Sequence, residues 1–308
     1  MSKHESGDGR KMKLRRSDLK PPWNKKLSTP LIQVGDNLFA KLETVNPTGS
    51  IKDRLIQYIV TDALEQGDIS DRSILVEATS GNTGISLAAI GASLNVPVKI
   101  IMPENMSEER KKMMRIFGAE IVEVPPSDFS AAIDLRNEMI QDSNHWSPMQ
   151  FSNHLNIECH QKTTAKEIAY DVLELQAPGV VPRLSALVTG SGTGGTIMGC
   201  KNHLIQLRSD METVLVKPAE EAKDHGIQGI NDGADFLCDI SRVDKIINVS
   251  TRDAIDRSRQ LAREQGLLVG ISSGANLLAA ERWIEENNPT GAVVTFLCDR
   301  GERYLSVE

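Results

Sequence analysis

The stretch Leu184-Ser185-Ala186-Leu187-Val188-Thr189-Gly190-Ser191-Gly192-Thr193-Gly194-Gly195-Thr196-Ile197-Met198-Gly199 reads as a strand, a glycine-rich turn and the start of a helix. A short apolar run bounded by glycines gives the strand, and the apolar residues after Thr196 open the helix. Glycines let the backbone take positive φ and approach an anion closely. Their amides point inward, and Thr193 and Thr196 add hydroxyl donors. The turn is therefore expected to cradle a phosphate, with an ordinary glycine turn as the plainer alternative.

The same alternation continues on both sides. Short apolar runs at 38–42, 74–77, 98–102, 121–124, 214–216, 245–249 and 293–297 are separated by amphipathic stretches such as 107–117, 129–141, 163–175, 252–264 and 275–286. This rhythm predicts an α/β fold in which mostly parallel, twisted sheets are flanked by helices. A chain of 308 residues exceeds a typical domain of roughly 150, so two lobes with a cleft between them are expected. Ligands in such folds collect at the carboxyl ends of strands, where the glycine-rich turns of this sequence fall.

Two nucleotide readings of the turn fail. Gly190, Gly192 and Gly195 satisfy a G-x-G-x-x-G pattern, but a dinucleotide site also wants an acidic residue ending the next strand. Here Val214-Leu215-Val216 runs into Lys217-Pro218. A P-loop needs Gly-Lys-Ser/Thr after its glycines, and Gly199 is followed by Cys200. What remains is a single phosphomonoester, with an amine elsewhere in the chain.

That amine is found in Asn46-Pro47-Thr48-Gly49-Ser50-Ile51-Lys52-Asp53-Arg54. Pro47 and Gly49 suit a turn, Ser50 is a candidate cap, and Ile51, Leu55, Ile56 and Ile59 recur as one buried helix face. Lys52 then lies in the first turn, where the positive helix end disfavours a second cation by roughly 0.3–1 kcal/mol. A lysine so fixed could lose its proton and capture an aldehyde; a surface lysine beside Asp53 is the alternative. The polar loop Thr79-Ser80-Gly81-Asn82-Thr83-Gly84 leads into Ile85, Leu87, Ala88 and Ile90 and suits a substrate carboxylate at a helix start. Its Asn82 could also meet a phenolic oxygen, and simple capping is the competing reading. A third loop, Gly270-Ile271-Ser272-Ser273-Gly274-Ala275, opens another helix. Either serine could cap it; a hydroxyl facing a pyridine nitrogen would instead favour prompt loss of a β leaving group over a long-lived carbanion.

Composition narrows the partners. With 35 Lys+Arg against 42 Asp+Glu the net charge is -7, which argues against nucleic acid and membrane surfaces and favours a small molecule. No apolar run approaches the roughly 20 residues of a membrane helix, and the polar N-terminus does not read as a signal sequence, so a cytoplasmic protein is expected. Cys159, Cys200, Cys238 and Cys298 lack Cys-x-x-Cys spacing, and the six histidines are scattered. Neither a metal site nor a disulfide framework is suggested, and the cysteines are expected to be reduced and mostly buried. Residues 1–22, rich in Lys, Arg, Ser and Gly at their start, are expected to form a flexible arm.

From about Leu27 to Ser306 the chain resembles the cysteine synthase family of pyridoxal-phosphate enzymes of fold type II, the tryptophan synthase β-like architecture. The resemblance rests on Asn-Pro-Thr-Gly-Ser-Ile-Lys-Asp-Arg ending at Arg54, Thr-Ser-Gly-Asn-Thr-Gly at 79–84, Gly-Thr-Gly-Gly-Thr at 192–196 and Gly-Ile-Ser-Ser-Gly at 270–274, in the family's order and approximate spacing. Glu77-Ala78 and Cys298-Asp299-Arg300-Gly301-Glu302-Arg303-Tyr304-Leu305 look most like its B branch. Leu27-Ser28-Thr29-Pro30-Leu31 departs from the family's usual Gly-Asn-Thr-Pro-Leu, and the chain stops soon after Tyr304, which puts dimer contacts in doubt.

The resemblance implies that Lys52 carries pyridoxal 5'-phosphate through its amine, that Asn82 bonds the ring oxygen, that Gly192, Thr193, Gly194, Gly195 and Thr196 hold the phosphate, and that Ser272 meets the pyridine nitrogen. Thr79, Ser80, Thr83 and Gln150 would bind the substrate carboxylate. The implied reaction is β-replacement on an O-activated L-serine, O-acetyl-L-serine first, by sulfide or thiosulfate in a homodimeric enzyme. Preference for O-phosphoserine involves an arginine after the phosphate domain's middle strand, and 218–240 contains none. The implied layout is a larger cofactor-phosphate domain of 23–44 and 154–308, and a smaller mobile domain of 45–153 that carries Lys52 and closes over the substrate. Cystathionine β-synthase, serine/threonine dehydratase and diaminopropionate synthase chemistry stay open as alternatives, as does a catalytically silent, partner-binding relative.

Overall fold

Alternating apolar and amphipathic segments produce two separate sheets in the computed structural model, which describes residues 12–174, 183–207, 210–220, 226–230 and 236–307. In chain order the elements are β1 (Leu31–Gln33), β2 (Leu38–Leu42), α1 (Lys52–Gln66), β3 (Ile74–Ala78), α2 (Asn82–Leu94), β4 (Val98–Pro103), α3 (Glu108–Ile116), β5 (Glu120–Val124), α4 (Phe129–Met139) and β6 (His145–Trp146). They continue as α5 (Leu155–Lys162), α6 (Thr164–Glu174), β7 (Leu184–Gly190), α7 (Gly195–Leu207), β8 (Glu212–Pro218), β9 (Lys245–Val249), α8 (Thr251–Gln265), α9 (Ile271–Asn287) and β10 (Ala292–Leu297).

The larger sheet has the order β1-β2-β10-β7-β8-β9 and the smaller one β5-β4-β3-β6. Among the strand pairings of the described residues, only that of β1 with β2 is antiparallel, Leu31 lying opposite Lys41. All other pairings are parallel, as Thr295 opposite Ala40 and Glu77 opposite Ile100 illustrate. This is the mostly parallel α/β architecture expected from the sequence. Central strands covered by helices on both faces read as nearly continuous apolar runs, and β10, apolar except for Thr295, is buried at each of its residues.

Alternate residues of one strand feed opposite faces. Val188 and Val293 join Leu277 and Ala280 of α9 on one side of the larger sheet. Their neighbours Leu187 and Val294 join Ala165, Ile168, Cys200 and Leu204 of α6 and α7 on the other. In the smaller sheet Leu75 and Ile100 pack on Ile56, Val60 and Ile85 of α1 and α2, while Val76 and Ile101 pack on Ala132 of α4. Each such fully buried aliphatic side chain contributes roughly 1.5–3 kcal/mol relative to exposure.

One expectation is corrected here. Residues 12–22 of the expected flexible arm lie against the smaller sheet's core, Leu14 and Leu19 being 7% and 2% exposed and Trp23 completing the contact. The Leu14 amide donates to the Ile69 carbonyl and the Asp71 amide to the Met12 carbonyl. A few apolar side chains spaced among charges suffice to anchor a segment whose average composition reads as solvated. Residues 1–11 lie outside the described residues. Among the described residues no helix is long and apolar enough to cross a membrane, no His/Cys/Asp/Glu cluster could hold a metal, and no disulfide joins the four cysteines.

Candidate active site

Lys52 opens α1 at a place fixed from both sides. Ile51 packs in the larger sheet's core and donates its amide to the Cys298 carbonyl at 2.9 Å, just beyond β10. Four to five residues on, Ile56 belongs to the smaller sheet's core. The Ser50 hydroxyl accepts the Lys52 amide at 3.3 Å, although Ile51, and not Ser50, holds the N-cap position. Asp53 is fully buried: it takes the Thr48 amide at 2.7 Å and the Thr48 and Ser86 hydroxyls at 2.6 Å each. Arg54 is held by Glu43 at 2.7 Å and Glu167 at 2.6 Å. Removing one partner from such a buried pair costs about 3–5 kcal/mol, so the start of α1 is rigidly seated.

Burial lowers the Lys52 pKa, against the opposing pull of Cys298, Asp299 and Glu43. The residue keeps partial exposure, and its buried amine is more readily deprotonated than that of a surface lysine. The alternative of a solvated surface lysine does not describe it.

The loop 79–84 follows β3 and opens α2 with Gly81 at the N-cap and no side-chain cap. The first amides of a helix have no intrahelical acceptor, so those of Asn82 and Thr83 are available to an anion. Thr83 donates its hydroxyl to the Gln150 side-chain oxygen at 2.6 Å, and both residues are buried. Glu77, fully buried on β3, accepts the Ala78 amide at 2.9 Å, the Gln150 amide at 3.2 Å and the Arg136 guanidinium at 2.9 Å. Thr79, Thr83 and Gln150 are thereby brought together, with Ser80 half-buried beside them. Asn82 directs one amide N–H at Asp299, 2.7 Å away; the second N–H of that nitrogen and its buried, unpartnered Oδ1 remain for another group.

The glycine-rich turn leads from β7 into α7 at the carboxyl end of the larger sheet. Gly194 has φ of +89°, a backbone state that disfavours a side chain. A Cβ on Gly195 would collide with the Asn156 side chain, and one on Gly192 would lie 2.5 Å from the Gly229 carbonyl. Asn156 ties the turn to the Gln150 segment: its amide donates to the Gln150 carbonyl and to the Thr193 hydroxyl, each at 2.9 Å. Thr196 meets the His160 Nε2 at 3.3 Å, and the His160 Nδ1 meets Thr164 at 3.0 Å. Burial, with the Lys52 and Arg54 charges added, holds His160 well below its ordinary pKa and therefore neutral. Backbone amides at a helix start, with hydroxyls beside them and a nearby amine, fit a phosphorylated aldehyde.

Ser272 and Ser273 lie inside the first turn of α9, with Gly270 at the N-cap, so neither caps it. The Ser273 hydroxyl accepts the Cys298 amide at 2.9 Å. Ser272, 4% exposed, hydrogen-bonds the Cys298 thiol, which burial pushes up to about 12. A neutral hydroxyl and a protonated thiol thus lie together within electrostatic reach of Lys52.

The sequence-predicted residues fall on loops at the carboxyl ends of β3, β7 and the elements around β10. Asp53, Asn156 and His160 were given no site role, and Glu77 and Asp299 were read only as marks of the B branch, since each acts through a partner distant in sequence. A family described as pyridoxal-phosphate dependent enzyme matches residues 25–299. Cysteine synthase B of Campylobacter jejuni is 41% identical over 297 residues, which span 91% of this chain and 95% of that protein. The crystal structure of an O-acetylserine dependent cystathionine beta-synthase from Helicobacter pylori matches with a TM-score of 0.84 at 29% identity, covering 93% of this chain and 97% of that one. An O-acetyl serine sulfhydrylase, isoform 3 from Entamoeba histolytica, matches at 0.83 with 33% identity over 92% and 89% of the two chains.

Proposed function

We propose, since this chain belongs to the pyridoxal-phosphate dependent enzyme family, that it is a cysteine synthase: it replaces the β-substituent of an O-activated L-serine by a sulfur nucleophile. O-acetyl-L-serine is the first candidate substrate and sulfide or thiosulfate the nucleophile, giving L-cysteine or S-sulfocysteine. One observation carries the reading: the Lys52 amine, its pKa lowered by burial, lies within electrostatic reach of the His160 imidazole, whose Nε2 meets Thr196 of the glycine-rich turn at 3.3 Å.

Gly192, Thr193, Gly194, Gly195 and Thr196 would hold the cofactor's phosphate, Asn82 its ring oxygen and Ser272 its pyridine nitrogen. When bound, the cofactor supplies an aldehyde that condenses with amines and a ring that draws electrons from the substrate's α-carbon. Thr79, Ser80, Thr83 and Gln150 orient the substrate by its carboxylate, with the Thr83 and Gln150 contact fixing the loop against the opposite wall. Lys52 takes the α-proton as its neutral amine, the β-substituent departs, and the nucleophile adds at the β-carbon before Lys52 returns the proton. The neutral Ser272 favours departure over accumulation of negative charge. Residues 45–153, which contain the smaller sheet, form the unit that closes over the substrate, and 23–44 with 154–308 form the larger one. We assign a homodimer in the cytoplasm, a compartment in keeping with four cysteines that form no disulfide.

The purified holoenzyme should show a visible absorption band that shifts when O-acetyl-L-serine is added; an unchanged spectrum would refute the reading. Supplying sulfide, thiosulfate, homocysteine and ammonia in parallel then identifies the nucleophile. The likeness to the Helicobacter pylori enzyme makes homocysteine the specific rival.

A further inference from the structure

We propose that Arg110 is the receptor for a tetrahedral oxyanion at the β-end of the substrate, an assignment that rests on the cysteine synthase reading. Arg110 lies near the start of α3, on the side of the smaller sheet, and is only 4% exposed. A buried guanidinium ordinarily meets a carboxylate, because desolvating the charge is otherwise costly. Arg54, Arg136 and Arg257 do so, with Glu43, Glu77 and Glu281. Arg110 meets none among the described residues. Its partners are the neutral side-chain oxygen of Gln228 and the face of Tyr304, 4.9 Å from the ring centre, and its Nε has no partner.

The location is as informative as the missing counter-charge. A side chain on Gly81, in the carboxylate loop, would start 4.0 Å from the Arg110 Nη1. Gln228 adjoins Gly229, where a side chain would start 3.8 Å from the Ser272 hydroxyl and whose carbonyl crowds Gly192. The Tyr304 hydroxyl donates to Asp299, which holds Asn82. The guanidinium therefore stands where the carboxylate loop, the 226–230 turn and the segment after β10 converge. The sequence segment 218–240 contains no arginine, which weighed against an anionic β-group. The fold supplies one to that very segment, from a helix of the other sheet.

Two reactants present the same chemistry. With O-phospho-L-serine the Cβ–O bond breaks and its electron pair leaves on phosphate; with thiosulfate the terminal sulfur donates the pair that forms the Cβ–S bond, and the sulfonate oxygens stay charged. Arg110 would neutralise the oxyanion in either case, without covalent change.

The holoenzyme and its Arg110→Met and Arg110→Lys variants test this. Specificity is read as kcat/KM ratios, O-phospho-L-serine against O-acetyl-L-serine and thiosulfate against sulfide. Arg110→Met should lower at least one ratio by about tenfold or more, the scale of a lost charge-assisted pair, and Arg110→Lys should recover part of it. The first ratio falling assigns the leaving group, the second the nucleophile. Inorganic sulfate titrated calorimetrically into the holoenzyme should bind about tenfold more weakly in Arg110→Met. Both ratios within about twofold of the parent, no use of either oxyanion by the parent, or sulfate binding that ignores the substitution each overturns the proposal. If Arg110→Met fails to retain cofactor, Arg110→Lys is judged by the same ratios. Turnover of O-acetyl-L-serine with sulfide by the parent reports separately on the proposed function.

Discussion

The side-chain amide of Asn82, the first residue of α2, donates to the carboxylate of Asp299, beyond β10, at 2.7 Å. The Tyr304 hydroxyl reaches the same carboxylate oxygen, also at 2.7 Å. One buried acid thus joins the 79–84 loop of the smaller sheet to the end of the larger one.

Asp299→Ala strands both donors. Stability should fall by about 1–3 kcal/mol, mostly the cost of the buried Tyr304 hydroxyl left unpaired, and the cofactor should bind more weakly because Asn82 is no longer held. Denaturant unfolding and cofactor titration by fluorescence check both effects; a loss under about 0.5 kcal/mol would mean that Asp299 does not support the cleft.

Lys52→Ala should leave far-ultraviolet circular dichroism unchanged, because Ile51 and the Arg54 cluster still anchor α1. Product formation should fall by about 10²–10⁴-fold, the range of a positioned acid–base group. Turnover within tenfold of the parent would take the proton transfers away from Lys52.

Gly195→Ala should weaken cofactor binding about tenfold through its collision with Asn156. Adding Asn156→Ala removes the obstacle and should restore part of the loss. A double variant no better than the single one would place the damage elsewhere.

Arg136→Met leaves the Glu77 carboxylate buried without its counter-charge, at a cost of about 3–5 kcal/mol. Glu77 also holds the Gln150 amide, so the KM for the amino-acid substrate should rise while cofactor affinity holds. An unchanged KM would make Glu77 a purely structural acid.

His160 gives a pH signature. It is kept neutral in the folded chain, whereas the unfolded chain takes up a proton below the ordinary value of 6.5. The unfolded state therefore binds more protons below that pH, and stability falls as the pH drops from 6.5 toward the folded pKa, by up to about 1.4 kcal/mol per unit. His160→Gln should remove this contribution, so its Tm should depend less steeply on pH between about 5 and 6.5 than the parent's. Parallel Tm profiles would rule it out.

The fold was legible because each strand and helix carries its own periodicity: the buried run at 293–297 and the alternation around Leu187 and Val188 announce themselves locally. The glycine-rich turns were legible for the same reason, since close packing at Gly195 and positive φ at Gly194 leave a mark in the sequence. Contacts between distant segments left none. Nothing near Arg110 points to Gln228, nothing near Asn82 to Asp299, and the seating of Leu14 and Leu19 depends on a surface formed by α1. Ser272 and Ser273 illustrate the remaining ambiguity, because a serine before an apolar run suits a cap as well as a first-turn position, and only the backbone at Gly270 decides.

The way α1 is shared between the two cores has a mechanical consequence. Its N-cap residue Ile51 is bonded to Cys298, just beyond β10, while its later turns pack in the smaller sheet's core. Any rocking of that sheet would have its fulcrum at the start of α1, so the 79–84 loop would swing through a wide arc while the Lys52 backbone barely shifts.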